Sequence, residues 1–266
     1  MGGMDTFDAN AAYPLSPMQQ GMVFHSLYAP KSGVNVQQII GTLQHTVNAD
    51  AFRKAWETTV ARHPVLRSSF HWEGLKTPIQ EAHAHVEVPF SEEDWSSLSE
   101  AEAAPKLDEY LKADRRRGFV LTKAPLMRVA LFRKDENDYQ FVWTFHHAVL
   151  DGRSFANVLK DVFGFYDAVL KKQELQPPPP RPYRDYIDWL AKQDLSESEK
   201  FWREQIKGFT SPTPFMVDRI RPAKGGDPVG CGDVSVRLSL GTSEALRELA
   251  AKHGLGLGTI FQGAWA

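Results

Sequence analysis

Between Tyr139 and Leu170 the hydrophobic rhythm of the chain changes. Tyr139-Gln140-Phe141-Val142-Trp143-Thr144-Phe145 is dense in aromatic and β-branched residues and reads as a strand. Further on, Phe155, Val158, Leu159, Val162, Phe163, Tyr166 and Leu170 recur at three- and four-residue steps, the spacing of an amphipathic helix. Leu126 to Phe132 alternates as well and is expected to pair with Tyr139 to Phe145 across the polar turn Lys134-Asp135-Glu136-Asn137-Asp138. Such a hairpin delivers Phe145-His146-His147-Ala148-Val149-Leu150-Asp151-Gly152 to the end of a sheet, just before a helix.

The same reading sets out the other elements. Ser16 and Pro17 suit the cap and first position of a helix through Met18, Met22, Val23 and Leu27, in which Gln19, Gln20 and His25 could face either core or solvent. Val36 to Val47 predicts a strand, and Asn48-Ala49-Asp50 caps a helix through Phe52, Trp56 and Val60 that closes at Arg62-His63-Pro64. Val65 to Trp72 and Pro78 to Gln80 predict two strands about a turn at Glu73-Gly74, with Val86 to Val88 a short third. Ser91 to Gly118 is acidic and reads as helix, with Trp95, Leu98, Leu107, Tyr110 and Leu111 apolar.

Pro177 to Pro180 must be extended and reads as a spacer, an SH3-type ligand being the alternative. Tyr183 to Lys192 and Ser196 to Lys207 read as helices, the second opened by a capping box at Ser196-Glu197-Ser198-Glu199. Residues 211–233 are rich in proline and glycine and read as a long loop. Val234 to Leu240 then alternates as a strand, Thr242 to His253 is helical, and the apolar run Thr259 to Ala266 stops mid-pattern, as expected of a truncated chain.

Composition narrows the function classes. A chain of 266 residues with 42% apolar and 24% charged residues is an ordinary globular protein, and a formal charge of −2 gives no reason to expect nucleic acid or an anionic membrane. The basic run Arg115-Arg116-Arg117 beside Asp114 reads as a solvated helix end. Cys231 is the single cysteine, so a disulfide, a Cys-rich zinc site and a dithiol centre are excluded, and the cytoplasm is the expected location. No apolar run approaches the ~18 residues of a membrane span. Met1-Gly2-Gly3 fits a loose myristoylation pattern with Thr6, but reads better as residues added ahead of a start at Met4.

Candidate chemistry centres on the double histidine. An imidazole exchanges protons near neutral pH, and at a sheet end it can meet a substrate in a cleft. Asp151 could orient an imidazole or pair with an arginine, and Gly152 permits close backbone approach. Two loop histidines beside a helix-capping aspartate are an equally open reading of the spacing. His147 and Asp151 stand four apart, but catalytic zinc takes three protein ligands and no third is evident, so no metal site is expected. A nucleophile elbow and a Walker loop are absent. Gly254-Leu255-Gly256-Leu257-Gly258 follows a helix rather than a strand and reads as a turn.

His146-His147-Ala148-Val149-Leu150-Asp151-Gly152 matches the HHxxxDG motif of condensation domains of nonribosomal peptide synthetases. Leu15 to Met22, Arg62 to Phe70 and Tyr183 to Trp189 resemble three further stretches of that family, in its order. The chain is therefore similar to the N-terminal part of such a domain. The resemblance implies an α/β fold of the chloramphenicol-acetyltransferase type, a mixed sheet flanked by helices, in which two lobes form a V around a tunnel. It divides the chain into a tail at 1–12, an N-terminal lobe at 13–210, a loop at 211–233 and, at 234–266, a crossing segment with the start of a second lobe whose remainder is missing.

The resemblance also implies a reaction: the amine of an acceptor aminoacyl thioester attacks a donor acyl or peptidyl thioester to give an amide. Both substrates would ride on phosphopantetheine arms of donor and acceptor carrier proteins, with no cofactor bound directly, and neighbouring synthetase domains would be partners. His147 would be the catalytic histidine, acting as base or by positioning and electrostatic stabilisation. His146, Asp151 and Gly152 would support it, Asp151 by pairing with an arginine that lies either in the second lobe or, within this chain, at Arg67. Arg62, Arg67 and Tyr183 would be architectural. Arg153 stands where the family often has tryptophan. An epimerisation domain and a non-catalytic carrier-docking module are the rival readings, and the fragment by itself is expected to be inactive.

Overall fold

Alternation along two neighbouring strands, β6 (Met127–Arg133) and β7 (Tyr139–His146), sends side chains to both faces of a four-stranded sheet. Met127, Val129, Leu131, Phe141, Trp143 and Phe145 enter one core, while Ala130, Phe132 and Val142 enter a second core on the opposite face. A sheet covered on both sides has strands that read as near-continuous apolar runs.

These strands belong to a computed structural model that describes residues 12–30, 32–211 and 236–265. The chain divides into two units, Met1–Ile220 and Arg221–Ala266. In the first, the order is β1 (Ala12–Pro14), α1 (Pro17–Tyr28), β2 (Val36–Leu43), α2 (Ala49–Arg62), β3 (Ser68–His71), β4 (Ile79–Ala82), β5 (Phe90–Asp94), α3 (Glu100–Arg117), β6, β7, α4 (Ser154–Leu170), α5 (Tyr183–Leu190) and α6 (Ser196–Gln205). The larger sheet runs β2-β7-β6-β5, antiparallel except for the parallel pair β5–β6. A smaller antiparallel sheet runs β1-β4-β3.

On the first face Phe52 of α2 packs edge-on against Phe141 and Tyr166, and Trp56 lies against Trp143. The Asn48 amide side chain caps α2 through Ala51 N–H, and its backbone N–H donates to the Tyr166 hydroxyl on α4. Gly41 of β2 faces Phe141, whose ring occupies the space a β-carbon would need. On the second face α3 brings Leu107, Tyr110 and Leu111 against Trp95 and Phe132. The predicted hairpin forms, with Met127 opposite Phe145 and Arg133 opposite Tyr139, so the first strand runs from Met127 to Arg133, one residue further along than Leu126 to Phe132.

Several expectations are corrected. Ser91 to Asp94 is edge strand β5, and the helix begins only at Glu100. Its charged residues point to solvent, as edge strands commonly arrange, so acidity there marked exposure and not helix. Val65 to Arg67 form a 3-10 turn, because Pro64 at its first position preorganises helical φ, and the strand starts at Ser68. Val86 to Val88 take no strand pairing, and Val86 and Val88 pack against the core from a loop. The capping box at Ser196 does not form; Asp194 caps instead, accepting from Ser196 N–H. Arg115 to Arg117 form the exposed helix end expected of them, whereas Asp114 beside them is buried.

In the second unit, Val236 to Ser239 are not strand. The Ser239 hydroxyl caps α7 (Leu240–Lys252), Gly254 at φ +63° ends it, and α8 (Leu257–Trp265) follows. Residues 1–11 of the predicted tail at 1–12, residues 212–233 of the predicted loop at 211–233 with Cys231, and Val234 and Ser235 lie outside the described residues; Ala12 already belongs to β1. No described helix is long and apolar enough to cross a membrane.

Candidate active site

Adjacent residues on a strand face opposite ways, and β7 ends between the two histidines. His146, the last strand residue, shares a face with Thr144 and is buried; His147 leaves the strand and is half-buried. Three backbone bonds hold the turn: His146 N–H to the Leu126 carbonyl at 3.0 Å, His147 N–H to the Asn35 carbonyl at 2.8 Å, and Val149 N–H to the His146 carbonyl at 3.0 Å.

The hydrogen bonds assign the two rings opposite tautomers. Ala148 N–H donates to His146 Nδ1 at 3.2 Å, so the His146 proton sits on Nε2 and is donated to Ser26 Oγ at 2.9 Å. Ser26 in turn donates to the Met22 carbonyl and accepts from the Asn35 amide. Burial, and then the neighbouring His147, push the His146 pKa down to about 4, so this ring stays neutral. His147 Nδ1 lies 2.6 Å from the Leu150 carbonyl oxygen. A carbonyl can only accept, so Nδ1 carries a proton, and in the neutral ring the lone pair is on Nε2.

The His147 ring borders a cleft of about 590 Å³, shared with Met18 and Met22 of α1, Val149, Asn157 of α4, and Tyr183 and Tyr186 of α5. His146 borders a different cleft of about 470 Å³, beside Ser26, Phe119 and Arg115 to Arg117. The cleft near His147 mixes apolar side chains such as Met18, Met22, Val149 and Val158 with polar ones such as Gln19, His63 and Asn157.

Asp151 does not meet Arg67. Its carboxylate accepts from the backbone N–H of Ser154 at 2.8 Å and of Arg153 at 3.2 Å, which closes the loop onto the start of α4. The Ser154 contacts, side chain and backbone, hold its carboxyl below the usual range. Arg67 is engaged instead by the carbonyls of Val60, Ala61, His83 and Ala84, a backbone anchor for the turn before β3. Arg62 donates to Asp161 of α4 at 2.9 Å and to the Pro177 and Pro178 carbonyls, tying the proline run to the lobe. Tyr183 donates to Ser16 Oγ at 3.4 Å and lines the cleft. Gly152 stands in the loop with nothing within 4 Å of where a β-carbon would sit, so no close approach demands glycine there.

Sequence reasoning missed two supports. Gln19 is buried and donates to the Ala148 carbonyl at 3.0 Å and to Gln80 at 2.7 Å, fastening the loop to β4. Its signal was the capping box with Ser16, in which Gln19 Oε1 accepts from Ser16 N–H. The second support is a buried carboxylate beneath the sheet. Gln38, Thr144 and Arg128 are cross-strand neighbours on β2, β7 and β6, and all three donate to Asp114 of α3, Arg128 at 2.5 Å. Burial alone would raise the Asp114 pKa, but Arg128, Thr144 and Gln38 together hold it low.

A family model described as condensation domain matches residues 9–266. A linear gramicidin synthase polypeptide of Brevibacillus parabrevis is 41% identical over 254 residues, 96% of this chain and 3% of that protein. Surfactin synthase subunit 3 of Bacillus subtilis is 34% identical over 254 residues, 96% of this chain and 20% of that protein. The chain thus spans a small fraction of these relatives. Among solved structures, the starter condensation domain of rhizomide synthetase RzmA superposes with a TM-score of 0.65 at 16% identity, over 76% of this chain and 49% of that one. SgcC5 from Streptomyces globisporus superposes at 0.60 with 24% identity, over 74% and 46%. At these identities the likeness is one of fold: mixed sheets flanked by helices.

Proposed function

The chain belongs to the condensation-domain family of nonribosomal peptide synthetases, and we propose that it takes part in amide formation between two carrier-bound thioesters. The donor is an acyl or peptidyl thioester and the acceptor an aminoacyl thioester, each on a phosphopantetheine arm. The acceptor nitrogen attacks the donor carbonyl carbon, the C–N bond forms, the C–S bond breaks, and the proton lost by the nitrogen passes to the departing thiolate, so the donor arm leaves as a thiol.

His147 is the catalytic residue in this reading. Its Nε2 receives the proton of the attacking amine, and the Leu150 carbonyl steadies the positive charge that develops on the ring. The single observation that supports this most is the bond from His147 Nδ1 to Leu150, which leaves Nε2 basic in a ring that borders the cleft. His146, held neutral under the sheet end, fixes the loop, as do Asp151 and Gln19. The opposite wall of the cleft is assigned to a second lobe, since the chain matches about half of the solved domains. The isolated chain is then inactive.

The test joins the chain to a second lobe and supplies loaded donor and acceptor carriers. Amide product on the acceptor carrier supports the reading. Release of a donor inverted at its α-carbon would favour an epimerase, and carrier binding without turnover would favour a docking module; either overturns it.

A further inference from the structure

Strand pairing in the smaller sheet brings together a second cluster of chemistry-bearing side chains. Ser69 lies opposite Glu81 and His71 opposite Ile79, so continuing the register puts Arg67 opposite His83. Side chains two apart on a strand share a face, and so do those directly across a pair. Ser69 and His71 of β3, Glu81 of β4 and His83 just past it therefore meet on one side of the hairpin. Phe70 and Gln80 point to the other side and are fully buried.

Ligand atoms of His71, Glu81 and His83 all lie within 4.8 Å of one another, and His71 Nε2 is 3.4 Å from Glu81 Oε2. Zinc bonds of about 2.0–2.2 Å place tetrahedral ligand atoms roughly 3.3–3.6 Å apart, so the cluster needs only small side-chain rotations to close on an ion. The buried Ser69 hydroxyl sits between the imidazoles, 2.8 Å from His71 Nε2 and 2.7 Å from His83 Nε2. It holds both Nε2 atoms turned toward one point. The backbone is fixed as well: His83 N–H donates to the Arg67 carbonyl and Arg67 donates to the His83 carbonyl.

We propose that His71, Glu81 and His83 form a binding site for a borderline divalent cation, zinc in the first instance. Two imidazoles and one carboxylate suit zinc and disfavour magnesium or calcium, which prefer all-oxygen shells. Three protein ligands leave a fourth position, open to water or to the Ser69 hydroxyl. The site is separate from the double histidine, yet β4 joins them: Gln80, beside Glu81, accepts from Gln19, which holds the Ala148 carbonyl. An ion that ties β3 to β4 would steady that support.

The sequence hid this site because its residues are ten or more apart between strands and become neighbours only through register. The test is calorimetric titration of the chelator-stripped chain with zinc chloride, with magnesium chloride as control. One saturable equivalent of zinc, a raised melting temperature and no magnesium binding are expected. His83→Gln and Glu81→Gln should each weaken zinc binding by more than about tenfold, while His147→Ala leaves it unchanged. Absence of saturable zinc binding, or loss of it in His147→Ala alone, overturns the proposal. Should the hairpin variants misfold, carbethoxylation of the unaltered chain decides: zinc must protect both His71 and His83, and equal modification with and without zinc counts against the site.

Discussion

His147 donates its Nδ1 proton to the Leu150 carbonyl at 2.6 Å. A residue three positions further along the same loop thereby sets which nitrogen of the ring can act. Nitrogen-15 spectra of His147 in the resting domain should show a protonated, pyrrole-type Nδ1 and an unprotonated Nε2 at a pH where the ring is neutral. The opposite tautomer would remove the assigned proton acceptor.

His146 should make stability pH-dependent. Its folded pKa of about 4 lies below the ordinary 6.5, so between these values the unfolded chain binds a proton that the folded chain refuses. Stability is complete above the unfolded pKa and falls as pH drops from about 6.5 to about 4, by roughly 3 kcal/mol in all. Urea unfolding across that window should show the slope, and His146→Gln should flatten it. An unchanged slope in the variant would place the effect elsewhere.

Asp151 caps the first turn of α4, so its hydrogen-bonding oxygen matters more than its charge. Asp151→Ala should cost about 1 kcal/mol of stability, and Asp151→Asn only a fraction of that, since asparagine caps nearly as well. Denaturant midpoints settle the order. Equal losses in the two variants would mean that a charge partner, and not the cap, is what Asp151 provides.

Asp114 and Arg128 form a buried pair that locks α3 to the sheet next to His146. Removing one partner strands the other, and Arg128→Met or Asp114→Ala should each cost about 3–5 kcal/mol. Because the Asp114 carboxyl is held low in the fold, its contribution is present above the ordinary carboxylate range and is lost as pH falls through the folded value. A double variant much less damaged than the sum of the singles is expected; simple additivity would argue against direct coupling.

The sequence was most readable where local rules decide the outcome. Alternation in Leu126 to Phe132 and Tyr139 to Phe145 gave the hairpin, and Ser16, Pro17, Asn48 and Pro64 marked helix ends by chemistry confined to a few residues. What failed depended on partners far along the chain. Ser91 to Asp94 is a strand because β6 accepts it in parallel, a fact no acidic run announces. Asp114 looked like part of a charged helix end because, besides Arg117 of its own helix, its donors Gln38, Arg128 and Thr144 come from three different strands. The same holds in the candidate site, where the motif pointed to His147 and Asp151, while the Asp151 partners were its own loop N–H groups and Gln19 was the distant clamp.

The most direct measurement is single-turnover amide formation by the chain joined to a second lobe, with loaded donor and acceptor carriers, comparing unaltered protein with His147→Ala and His146→Ala at matched folded fractions. Loss of a proton acceptor should slow His147→Ala by about 10²–10⁴-fold. His146→Ala should lose stability and retain far more of its rate. Undiminished amide formation in His147→Ala would contradict the assignment of that ring as the catalytic group.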